Sequence, residues 1–265
     1  MIRLAVVAAL VVVLAAPARG AEAPTPARPT SIVVALSLGD SGLQAGVVRG
    51  RDVVLARGFE VELARVLARR LGARVDRFVD VRPAGRLLAA GAPSWHLALA
   101  SIEPTGRGAG VVLSAPYLTT DLAIVLRRGL DRPRRLSDLR RRLVCVSRGS
   151  QALSVVGRTI RPARTPLVAP GRDRLGSLLR TGACDAAVLP ARDAGRLLAR
   201  ERGLLGPVAG RIEHGKGLVI AVARGTGLDA ALVDRELARM RADGTLGRLA
   251  RSWLGLDPAA LPRLR

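Results

Sequence analysis

From residue 31 onward the chain alternates between short β-branched apolar runs and longer stretches in which apolar positions recur every three or four residues. Residues 31–38 suit a buried strand, after which Phe59, Leu63, Val66, Leu67 and Leu71 fall on one helical face. Residues 74–79 alternate like a strand, 83–90 read as a short helix, and 97–100 are a further buried strand. The second half repeats this logic. Strands are expected at 143–147, 166–169 and 185–189, with helices from Ser150, over 172–180 and over 193–201. Two more apolar runs, 121–126 and 217–223, flank this second unit and are candidates for connections between two lobes. The chain then closes on a helical stripe of Leu228, Leu232, Val233, Leu237 and Met240, broken at Gly244 and resumed at Leu246, Leu249 and Trp253. Alternating strands and helices of this kind predict an α/β fold of two units.

The amino terminus follows a different pattern. Arg3 precedes an unbroken apolar run, residues 4–16, followed by Pro17-Ala18-Arg19-Gly20 and a Pro/Ala-rich stretch to Pro29. This reads as a secretory signal peptide over 1–20, cleaved near Ala18 or Gly20, with a linker at 21–30. The run is shorter than the roughly 20 residues of a bilayer span. No cysteine stands at its end, so a soluble exported protein is expected, in a bacterial periplasm, with no membrane span after cleavage.

Composition narrows the chemistry. At 265 residues, 49% hydrophobic and 24% charged, the chain is too apolar for intrinsic disorder and long enough for a sizeable core. Its net charge of +22 is almost all arginine, Lys216 being the only lysine. The tightest cluster, Arg132, Arg134, Arg135, Arg140, Arg141 and Arg142, is broken by Asp131, Pro133 and Asp138 and reads as a solvated face. Aromatic residues are 2% of the chain, too few for a nucleic-acid stacking platform, so no nucleic-acid partner is expected. Two cysteines and two histidines match no zinc motif, and neither metal nor cofactor is expected. Export permits a Cys145–Cys184 disulfide, and two buried thiols are the other reading. No Ser-His-Asp, Cys-His or HExxH arrangement is present, and His96 and His214 read as structural or exposed.

Several phrases, in order along nearly the whole mature chain, resemble the type II periplasmic solute-binding proteins that serve polar amino-acid ABC importers. Gly58-Phe59-Glu60-Val61-Glu62-Leu63-Ala64 is similar to that family's Gly-Phe-Asp-Val-Asp-Leu-Ala helix start, and Ser114-Ala115-Pro116-Tyr117 to its Ser-Asp-Pro-Tyr turn. Arg241-Ala242-Asp243-Gly244-Thr245-Leu246, ending in Trp253-Leu254-Gly255, resembles its terminal helices. The resemblance implies two α/β lobes joined by two crossing strands, closing over a small ligand by a hinge, with no chemistry performed. The first lobe would hold residues 31–118 and 222–265, and the second 123–217. A small-molecule ligand, an ABC permease partner and a monomer are the implied associations.

The resemblance also implies a site. Arg107, nine residues before Pro116, would take a ligand carboxylate through its planar fork of donors, supported by Ser101 and Thr105. Glu103 stands where a small hydroxyl residue is usual, either facing the cleft as a partner for a cation or turned outward. In the second lobe, Arg148-Gly149-Ser150-Gln151 resembles the turn whose helix-start amides meet the carboxylate. Ser150 is also a good helix N-cap with no ligand at all. Where the family has an ammonium-pairing aspartate this chain has Pro190, and Asp193 falls inside the next helix. The first loop, Asp40-Ser41-Gly42-Leu43-Gln44, lacks an aromatic clamp and leaves Asp40 as its charged candidate, and residues 44–57 look like a widened loop.

These departures keep two other readings in view. One is an accessory protein of a periplasmic quinoprotein dehydrogenase system, with that dehydrogenase as partner. The other is an enzyme resembling cyclohexadienyl dehydratase, for which Glu103 is the one candidate acid.

Overall fold

The computed structural model describes residues 27–39, 42–82, 87, 93–104 and 108–265. The signal segment, most of the linker, and nearly all of the short helix expected at 83–90 lie outside these residues. Within them the expected α/β units form around two sheets.

The first sheet has seven strands in the order β2-β3-β4-β1-β5-β12-β6. These are β1 (Ser31–Leu36), β2 (Ala45–Arg49), β3 (Asp52–Arg57), β4 (Arg74–Asp80), β5 (Leu97–Ile102), β6 (Val111–Leu113) and β12 (Val219–Ala223). β1 runs parallel to β4 and β5, whereas β12 is antiparallel to β5. The helices α1 (Phe59–Arg70), α5 (Ala230–Ala242) and α6 (Thr245–Leu254) cover one face, burying Phe59, Leu63, Leu67, Leu237 and Met240 against Val34, Leu99 and Ile220. The 44–57 stretch is a hairpin and not a loop. Val47-Val48 and Val53-Val54 are two β-branched runs on either side of a turn in which Gly50 adopts a positive φ of 62°.

The second sheet has five strands in the order β11-β7-β10-β8-β9. They are β7 (Leu122–Leu126), β8 (Val144–Ser147), β9 (Leu167–Ala169), β10 (Ala186–Pro190) and β11 (Val208–Ile212). The helices α2 (Ala152–Thr159), α3 (Arg174–Arg180) and α4 (Ala191–Arg200) complete the unit. Its three central strands, β7, β8 and β10, are buried on both faces and therefore read as near-continuous apolar runs. Cys145 and Cys184 form a disulfide with a Cα separation of 5.9 Å inside this core.

The two apolar runs proposed as connections are themselves inner strands, β7 in the second sheet and β12 in the first. The chain crosses just outside them, where Leu118 and Leu218 form an antiparallel bridge. These crossings are tied together: the Thr120 hydroxyl donates to the His214 carbonyl (2.8 Å), and the His214 amide donates to Asp121 (2.9 Å). The last residues depart from the expected 222–265 lobe. Beyond α6 the tail crosses back, bridging Arg263 to Arg211 and burying Leu264 against the second sheet. Its apolar Leu264 and the unpaired edge of β11 account for this course, the Arg211 amide donating to the Pro262 carbonyl at 2.8 Å.

A helix also joins the lobes. Gly195 of α4 packs directly on the Leu254 carbonyl and on Gly255, an approach that any Cβ at Gly195 would block. Arg196, one residue on, lies over Gly42 of the first lobe.

Candidate functional site

The first lobe presents its site residues from the carboxyl end of β5 and from α1. Gly58, at a φ of 125°, lets the chain turn so that the Phe59 and Glu60 amides donate to the Gly42 and Leu43 carbonyls (3.2 and 3.0 Å). A Cβ at Gly58 would strike the Leu43 carbonyl. Glu60 is thereby set, fully buried, beneath β5. Its Oε1 accepts from the Ser101 amide (3.0 Å), the Ser101 hydroxyl (3.3 Å) and the Tyr117 hydroxyl. Burial raises the Tyr117 phenol well above its ordinary range, the Glu60 charge and hydrogen bond add to the rise, and the Arg192 charge opposes it. Ser101 holds a φ of 53°, a conformation that costs a non-glycine residue free energy and that the Glu60 contacts stabilise.

The second lobe contributes the turn between β8 and α2 and the start of α4. The Ser150 hydroxyl donates to the Ser147 carbonyl at 2.7 Å. It is not the N-cap of α2. That position belongs to Gln151, and no side chain caps the helix. The first amides of α2 therefore stand without a side-chain acceptor, the arrangement that gives a helix start its affinity for anions.

The end of β5 and these second-lobe elements border an open cavity of about 370 Å³, lined from the first lobe by Glu103 and from the second by Arg148, Ser150, Gln151, Arg172 and Arg192, with Thr120 and His214 from the crossings. It lies at the small end of the range for small-molecule sites. Another cavity, about 430 Å³, sits by the crossings against α6, with Arg211 paired to Asp121 and Arg251 facing Asp257 at 3.9 Å. The first is the candidate site, because it joins both lobes at an uncapped helix start.

Of the residues expected in the site, Glu103, Ser150 and Gln151 line this cavity together. Glu103 thus faces the cleft. Ser101 does not line it, because its hydroxyl and amide are directed to Glu60. Asp40, Thr105 and Arg107 lie outside the described residues. Asp193 lies within α4 as expected, and there it is buried and paired with Arg172 and Arg196.

The sequence reading missed His214, Arg172 and Arg192. His96 is structural: its Nδ1 accepts from the Val33 amide at 3.0 Å, and burial lowers its pKa. His214, by contrast, lines the cavity, with its ring Nε2 against the Gln151 amide oxygen. Arg192, in the first turn of α4 and two residues after Pro190, could have been read from that placement. Arg172 could not, because only the fold brings the approach to α3 next to the β8–α2 turn. Among the described residues no group of His, Cys, Asp and Glu is placed to hold a metal ion, and no helix is long and apolar enough to cross a membrane.

Residues 54–256 match the family model of the bacterial extracellular solute-binding proteins, family 3. The fold is similar to the second substrate-binding domain of a putative amino acid ABC transporter from Streptococcus pneumoniae, at 16% identity and a TM-score of 0.68 over 84% of this chain and 99% of that one. It is similar to the L-cystine solute receptor of Neisseria gonorrhoeae in its unliganded open conformation, at 18% identity and a TM-score of 0.65, covering 87% and 94%. An ancestral cyclohexadienyl dehydratase matches at 19% identity and a TM-score of 0.65, covering 86% and 93%. At these identities the likeness speaks to the two-lobed, type II periplasmic-binding-protein fold alone. No curated protein matches the sequence.

Proposed function

Because the chain belongs to the bacterial extracellular solute-binding proteins, family 3, we propose that it is a periplasmic receptor that captures a small carboxylate-bearing or amino-acid-like solute between its lobes for an ABC importer. The observation that carries this reading is the cavity between Glu103 of one lobe and the uncapped start of α2 in the other. A ligand seated there touches both lobes, so its binding free energy favours the closed arrangement over the open one. Arg148 and the α2 amides supply donors for a carboxylate, and Gln151 and His214 supply polar groups at the hinge side. The carry-over of Arg107, Thr105 and Asp40 to the ligand, the lobe boundaries and the export signal belong to the same proposal.

Thermal unfolding of the purified protein against a panel of amino acids, organic acids and amines tests it. A solute at 100 times its dissociation constant adds about 2.7 kcal/mol of stability. Silence across the panel contradicts the receptor reading and favours a role beside a periplasmic dehydrogenase.

The presence of a carboxyl group in the cleft keeps a second reading, an enzyme like the dehydratase whose fold this chain shares. Glu103 would then act as a general acid. Conversion of prephenate or arogenate by the purified protein, abolished by Glu103→Gln, would establish it.

A further inference from the structure

Strands β8, β9 and β10 run parallel and begin at the end of the second lobe opposite the β8–α2 turn that lines the cleft. The connections that enter them gather at this far end. The one between β7 and β8 carries Arg128, Arg132, Arg134, Arg140 and Arg141, all exposed. The one from the last turn of α2 to β9 adds exposed Arg158, Arg161 and Arg164. The two segments adjoin: the Arg140 carbonyl accepts from the Ala163 amide at 2.7 Å, and the Arg140 guanidinium donates to the Ile160 carbonyl at 3.3 Å. Leu136 and Leu139 are buried in one cluster with Ile160, which leaves the arginines beside them on the outside.

Carboxylates do little to offset this charge. At the far end Asp138 is paired with Arg135, Asp185 with Arg127 and Glu201 with Arg180, and Asp131 stands alone against the exposed arginines. Around β3 and β4 of the first sheet, by contrast, exposed Asp52 and Asp76 are interspersed among Arg51, Arg74 and Arg77. A partner for the far end must therefore be anionic across its breadth. Residues 122–212 contain no aromatic residue, so this lobe has neither the Trp and Tyr anchors that dominate protein interfaces nor a platform for nucleic-acid bases. Phospholipid headgroups need no such anchor. Each basic side chain near an anionic bilayer strengthens partitioning about fivefold.

We propose that the far end of the second lobe is a docking face for an anionic phospholipid surface. It holds the protein at a membrane while the cleft, at the opposite end of the same strands, stays open to solute, whatever that solute is. Co-sedimentation of the full chain with phosphatidylcholine vesicles, with and without phosphatidylglycerol, tests it. Binding requires phosphatidylglycerol and is released by raised salt. Arg132→Gln, Arg141→Gln, Arg161→Gln and Arg164→Gln together weaken it by about twentyfold or more. The first-lobe set Arg49→Gln, Arg51→Gln, Arg69→Gln and Arg74→Gln, which removes the same charge, weakens it by less than about threefold. Should the second-lobe set not fold, hydrogen exchange of the wild type on the same vesicles decides, with protection expected at 131–142 and 158–165 and none at 45–57. Equal weakening by the two sets, protection at 45–57, or equal binding to neutral vesicles overturns the proposal. Absence of vesicle binding also overturns it, and is the result expected if this face meets an acidic protein instead.

Discussion

The hydroxyl of Tyr117 donates to Oε1 of Glu60, joining the turn before the first crossing to the start of α1 inside the first lobe. Both residues are buried, Glu60 completely. The pairing explains why a carboxylate is tolerated beneath β5: Ser101 adds two further donors to the same oxygen.

Tyr117 is the chain's only tyrosine, so the alkaline rise in absorbance at 295 nm that marks tyrosinate formation reports it alone. Its phenol is raised in the folded state, which means the group stabilises the fold fully below the unfolded value near 10 and loses that contribution as pH rises beyond it. The tyrosinate signal should therefore appear with unfolding and not before it. Tyr117→Phe removes a donor from a buried carboxylate and should cost about 1.5–3 kcal/mol in urea denaturation.

Asp243 closes α5 and accepts hydrogen bonds from Thr245 and from Arg70 of α1. These bonds, Thr245 first, bring its carboxyl down to about 2. Because the folded value lies below the ordinary 3.8, its contribution is complete above that pH and is lost as pH falls through about 2. Carboxyl resonances followed by NMR should give a midpoint near 2, and Asp243→Asn should flatten the acid limb of the stability profile between pH 4 and 2.

The Cys145–Cys184 disulfide closes a loop with a sequence separation of 39 inside the second sheet's core. By loop entropy its loss costs about 4 kcal/mol. The Cys145→Ser/Cys184→Ser double variant should unfold at correspondingly lower denaturant, and dithiothreitol should have no further effect on it.

Gly195 is the point where α4 meets the end of α6. Gly195→Val inserts side-chain atoms against the backbone of Leu254 and Gly255, and overpacking of this kind costs about 1–3 kcal/mol. The variant should lower the melting temperature and increase the radius of gyration in solution scattering, as the second lobe is pushed from the first.

Much of this architecture is legible from local pattern. β1 follows from its apolar run, which is buried on both faces, and α1, α5 and α6 follow from apolar period, because each buries one face against the first sheet. The hairpin of β2 and β3 escaped notice because the expectation of a loop overrode its β-branched runs. The course of the tail is not local: Leu264 joins the second sheet's core only because β11 lies within its reach. The same holds in the site. Glu103, Ser150 and Gln151 are readable by position, whereas Ser101 looked like a ligand donor until Glu60, 41 residues earlier, claimed its hydroxyl. Arg172 enters the cleft only through tertiary packing.

Hydrogen exchange with and without a binding solute tests most directly whether both lobes hold one ligand. The account predicts that amides at 149–153 and at 102–103 become protected together, with midpoints at the same solute concentration. Protection confined to one of the two segments, or at the α6 side of the crossings alone, would contradict it.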